Sequence, residues 1–167
     1  MRILTLSLLP FFLLGCMSGQ KKKVQSTTAH EPAGTVITEL NLLAMPVVVN
    51  FDGVPGPDGF VVKIYAGNRK HPKPIPIVTG TLDFLMYDGL LPRSDEASAK
   101  PRHTWSLKAE DLKRYEMTTS IGTGYQIDLR WGEGNPTGDK ITAVARYTSV
   151  GGVMVYSAPS VIAVMMK

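Results

Sequence analysis

Tyr125-Gln126-Ile127-Asp128-Leu129-Arg130-Trp131 alternates throughout, with Tyr125, Ile127, Leu129 and Trp131 on one side and Gln126, Asp128 and Arg130 on the other. Successive side chains of an extended chain point to opposite faces, so a period of two marks a strand with one face in a core and one in water. Downstream, 132–139 is expected to be a hairpin connection, and further strands are expected at 141–147, 153–157 and 161–165. Upstream, β-branched and aromatic runs at 47–51, 60–66 and 80–88 are broken by Gly, Pro, Asn and Asp, which favour turns. Alternation assigns Val62, Ile64, Leu82, Phe84, Ile127, Leu129 and Val144 to the core, and puts Leu85 and Tyr87 on a far face. Trp105 is expected on a short extended piece docked on that core. Only 106–115 offers a helix: Ser106 can cap it, and the acids Glu110 and Asp111 precede the bases Lys113 and Arg114, as the helix dipole prefers. About seven short strands and one short helix predict an all-β fold, an antiparallel sandwich, over 43–167.

The order of turn, strand, turn, hairpin and final strand in the second half resembles an immunoglobulin-like module. The resemblance is one of pattern over 45–167 and implies no functional residues. Cys16 is the only cysteine, so the disulfide of antibody domains is excluded.

That cysteine belongs to the other informative stretch. Arg2 is followed by an apolar run over 3–14, interrupted only by Thr5, Ser7 and Pro10. It is too short for a spanning helix, which needs roughly 20 apolar residues, and suits a secretory signal. The run ends in Leu13-Leu14-Gly15-Cys16, which resembles the lipobox of bacterial lipoproteins. The resemblance implies a signal peptide over 1–15, cleavage before Cys16, thioether lipidation of Cys16 and N-acylation of the new terminus. An anchor of two or more acyl chains holds stably. Met17 rather than Asp follows the cysteine, which in double-membrane bacteria favours the outer membrane over the inner. The implied location is the bacterial cell envelope.

Residues 16–42 read as a flexible membrane tether, and leader and tether together are expected to be disordered. Within the tether, Lys21, Lys22 and Lys23 can lie on anionic headgroups, and 36–43 is apolar enough to pack on the domain as a lead-in. Four of the 18 basic residues (Arg2, Lys21, Lys22 and Lys23) precede Met45, leaving 14 basic against 12 acidic residues, a net of +2. A balance so close to neutral is not a nucleic-acid footprint.

Chemistry-bearing patterns are few. His30, His71 and His103 lie in the tether or in loops without metal-ligand spacing, and no metal or cofactor is expected. Asp52 and Asp58 could share a calcium ion, although Asp58-Gly59 reads more readily as a turn. Arg69, Lys70, His71 and Lys73 form a basic loop able to meet an anionic polymer or headgroups. The expected role is therefore non-enzymatic: a monomeric domain, anchored through Cys16, that binds or scaffolds an envelope protein or polysaccharide. The alternatives are a hydrolytic or carbohydrate-active module using Asp83, Asp88 and Glu133, or a subunit of an envelope assembly docking by a strand edge.

Overall fold

The computed structural model describes residues 36–91 and 99–164. The expected signal peptide, Cys16 and the tether up to residue 35 lie outside the described residues. Two antiparallel sheets face each other. The strands are β1 (Glu39–Ala44), β2 (Gly59–Gly67), β3 (Thr81–Asp88), β4 (His103–Lys108), β5 (Glu116–Thr119), β6 (Gly122–Arg130), β7 (Lys140–Thr148), β8 (Met154–Tyr156) and β9 (Ser160–Ala163). One sheet has the order β1-β2-β6-β5; the other has β4-β3-β7-β8, with β9 also on β7. The all-β sandwich expected from the alternation is present.

The inner faces form one core. Phe60, Val62, Ile64 and Ala66 of β2 meet Leu82, Phe84 and Met86 of β3, with Ile127 and Leu129 of β6 beside them. Phe60 packs edge-on against Trp105, ring centroids 5.7 Å apart, and the Trp105 indole N–H donates to the Arg130 carbonyl at 2.8 Å. Trp105 thus ties the two sheets together from β4.

Several expectations are corrected. The apolar lead-in over 36–43 packs on the domain as expected, with Ile37 and Leu40 buried in the core, but Glu39–Ala44 is a full strand paired with β2, so the tether does not extend to 42. The strand's alternation of Leu40 and Leu42 against Glu39, Asn41 and Leu43 explains the docking. Residues 47–51 are not a strand: Val47 and Val49 make only isolated bridges, to Ala163 and Gly59. Ser106 caps no helix. It lies within β4, and a single turn over Ala109–Leu112 runs into a 3-10 turn over Lys113–Tyr115. Residues 132–139 are not a hairpin, because β6 and β7 belong to different sheets. Val144 is buried but belongs to a second apolar cluster with Leu85 and Tyr87, outside the main core. Its neighbours Ala143 and Ala145 take the inward positions.

The β8–β9 edge carries a bulge. Tyr156 lies opposite Arg146, but Ser160 lies opposite Ala143, so Ser157, Ala158 and Pro159 stand against only Val144 and Ala145. The Ser157 hydroxyl accepts the Ala145 N–H at 2.9 Å, and the Ser157 N–H donates to the Ala145 carbonyl at 2.9 Å. A one-residue slip exchanges the faces of a strand. It lets Tyr156 point outward while Ile162 and Val164 enter the core. On the same flank, parallel bridges from Leu40 to Ser157 and from Val47 to Ala163 join the two sheets.

Candidate functional site

The outer face of the five-stranded sheet holds a groove of about 420 Å³. Leu85 and Tyr87 of β3 and Val144 of β7 make its floor, and all three are less than 8% exposed. Leu91, Ala99 and Pro101 form one wall; Thr104, Arg146 and Tyr156 line the rest. Strand geometry places these groups. Asp83 pairs with Arg146 and Leu85 with Val144 across β3 and β7, while Tyr156 pairs with Arg146 across β7 and β8.

The polar end of the groove is an ion pair. Arg146 donates to Asp83 Oδ2 through Nε at 3.0 Å and Nη2 at 2.8 Å. The Ser106 hydroxyl donates to Asp83 Oδ1 at 2.6 Å. The hydrogen bond to Asp83 is the main reason the Arg146 guanidinium is held above its ordinary pKa; burial opposes it and Tyr156 adds a smaller upward contribution. Arg146 is therefore a fixed cation whose charge is matched by a buried anion.

The three carboxylates considered for hydrolysis are not gathered. Asp83 and Asp88 are five residues apart on β3, hence on opposite faces and separated by roughly 16 Å at 3.3 Å per residue. Asp88 is a loop clamp: it pairs with Arg102 at 3.1 Å and accepts the Thr137 N–H at 3.2 Å and the Thr137 hydroxyl at 3.1 Å. Glu133 is exposed in the β6–β7 connection.

Asp52 Oδ1 caps the Val54 N–H at 2.9 Å, and Asp58 Oδ1 caps the Phe51 N–H at 2.9 Å, the use a turn makes of such residues. Asp58 also lines a second cavity of about 390 Å³ with Trp131, Asn135 and several prolines. Among the described residues no three His, Cys, Asp or Glu side chains converge as metal ligands. His103, expected in a loop, is the first residue of β4 and its ring meets that of Trp105 at a tilt of 52°, centroids 4.3 Å apart; His71 is exposed, while His30 lies outside the described residues. Arg69, Lys70, His71 and Lys73 lie in the exposed β2–β3 connection.

Sequence reasoning missed the groove, although it put Leu85 and Tyr87 on the far face of β3. The available signal was their apolar character on a face that alternation assigns to water. Comparison with known proteins finds no matching family model, no matching curated protein and no matching solved structure.

Proposed function

We propose that this chain is a lipid-anchored envelope protein whose immunoglobulin-like sandwich binds an envelope protein or polysaccharide rather than catalysing a reaction. Anchoring rests on Leu13-Leu14-Gly15-Cys16 behind the apolar run, with lipid on Cys16 and the outer membrane as destination. The immunoglobulin-like reading is supported by strand order. β1-β2-β6-β5 facing β4-β3-β7-β8 corresponds to the A-B-E-D and C′-C-F-G arrangement of that fold.

One observation carries the binding role: the apolar floor of Leu85, Tyr87 and Val144 beside the Asp83–Arg146 pair. The water-facing side of an antiparallel sheet is ordinarily polar, and a groove of about 420 Å³ falls in the range of ligand sites. It suits an apolar group with a hydrogen-bond acceptor that reaches Arg146 or Tyr156. The engagement of Asp83 and Asp88 in ion pairs favours binding over hydrolysis.

Two measurements test the proposal. Anilinonaphthalene sulfonate, an apolar anion, should bind saturably with a rise in fluorescence, and Val144→Glu should abolish the rise. A signal that Val144→Glu leaves unchanged removes the groove as the binding site. Mass spectrometry of the native protein should find Cys16 as a lipidated first residue. An unmodified Cys16 thiol sinks the anchoring.

A further inference from the structure

We infer that the end of the sandwich where the N-terminal segment joins is a membrane-contacting face, occupied by anionic lipid headgroups. For its orientation the inference rests on the anchoring proposed above. β1 begins at Glu39 opposite Gly67, the last residue of β2, so Val36 sits at the end that also carries connections 68–80, 109–115, 120–121 and 149–153. The Asn68 side-chain amide donates to the Val36 carbonyl at 2.7 Å, and the Arg69 N–H donates to the Thr38 hydroxyl at 3.2 Å. The basic loop is thus fastened beside the point where the chain from Cys16 arrives.

Charge and apolarity at this end fit a headgroup layer. Connection 68–80 holds Arg69, Lys70 and Lys73 and no carboxylate. All three are exposed, and none of the ion pairs among the described residues involves them. The same end carries the carboxylates Glu39, Glu110, Asp111 and Glu116 and the further cations Lys108, Lys113 and Arg114, so cations still outnumber carboxylates there; Glu110 lies 3.9 Å from Lys108 and Asp111 lies 3.7 Å from Arg114. The same connections carry aliphatic tips: Val78, Ile121, Val150 and Val153 are each more than half exposed. Cations on headgroups with aliphatic tips at the acyl boundary are the interfacial pattern. The opposite end is different. Among the described residues its connections carry Asp52, Asp58, Glu133 and Asp139, interleaved with Lys100 and Arg102, with Asp88, Arg130 and Lys140 at the strand ends.

The test uses the unlipidated chain from Met17 onward, which contains every described strand, with Lys21, Lys22 and Lys23 changed to Gln so that the tether adds no charge. It is sedimented with phosphatidylcholine vesicles, with or without about one-third phosphatidylglycerol. Binding to the anionic vesicles alone is expected. Each cation at a headgroup surface is worth about fivefold, so changing Arg69, Lys70 and Lys73 to Gln should weaken binding by up to about a hundredfold. Raising salt from about 0.1 M to about 1 M shortens the screening length from about 10 Å to about 3 Å and should release the unmutated loop without any further variant. Equal binding to both vesicles, a triple variant that binds as well as its parent, or salt-resistant binding each overturns the inference. A lipidated Cys16 with no anionic preference refutes this face and leaves the anchor. An unmodified Cys16 with anionic binding does the reverse.

Discussion

Asp83 and Arg146 face each other across the β3–β7 ladder, one carboxylate oxygen taking two guanidinium N–H groups while the other takes the Ser106 hydroxyl. The Asp83 side chain is 8% exposed and that of Arg146 is 31% exposed. Charge is therefore fixed beside an apolar floor, and the two partners respond differently to loss of the other.

Asp83→Asn keeps the shape and removes the anion. Losing a charge-assisted hydrogen bond costs about 1–3 kcal/mol, and Arg146 can regain water at its exposed side, so the lower half of that range is expected. Denaturant unfolding measures it. A double change, Asp83→Leu with Arg146→Met, should recover most of the loss, since apolar replacement of both partners removes the desolvation cost along with the attraction.

The purified protein should not hydrolyse glycosidic, ester or peptide substrates. Asp83→Asn, Asp88→Asn and Glu133→Gln serve as controls in the same screen. Turnover that vanishes in one of them would overturn the binding role in favour of an enzyme.

Leu129→Ala should destabilise the sandwich strongly. Leu129 is 2% exposed, on β6 opposite Phe60 of β2. Truncating such a residue costs about 2–5 kcal/mol through lost transfer energy and the cavity left behind. A loss well under 1 kcal/mol in equilibrium unfolding would mean that the site collapses around the gap.

Stability should fall in alkali through Tyr125. Burial is the main cause of its raised pKa; the Ile77 N–H donating to its oxygen at 2.8 Å opposes the shift, and Glu116 adds to it. Its folded pKa lies above the unfolded value of about 10, so the folded state retains the phenol proton more tightly. The contribution is full below about pH 10 and is lost as pH rises through the folded value. Tyr125→Phe should flatten that alkaline slope, while losing about 1 kcal/mol at neutral pH with the Ile77 bond. An unchanged slope would assign the effect to another group.

The strands legible in the sequence are those with one polar face. On β6, Gln126, Asp128 and Arg130 are exposed and their neighbours buried, as the alternation reads. On β7 the inner face carries Ile141, Ala143, Ala145 and Tyr147 and the outer face Thr142, Val144 and Arg146, so choosing the bulkier Val144 over the small Ala143 and Ala145 puts the wrong face inward. For β1 the apolar character of 36–43 was legible as packing, but composition cannot show that β2 offers an edge for it to pair with. The groove was illegible for a related reason. Its floor is assembled from β3 and β7, and no single stretch contains it.

The stitched flank has a consequence for how copies of this molecule can meet. The Leu40–Ser157 and Val47–Ala163 bridges and the bulge before Pro159 leave that side with no regular ladder to extend. The edges still available, β4 and β5, lie together on the other side, joined through the short helical turn. Any strand-to-strand contact between copies is therefore confined to that one side of the sandwich. A contact limited to one side can pair two copies but offers no opposite side from which a filament could extend.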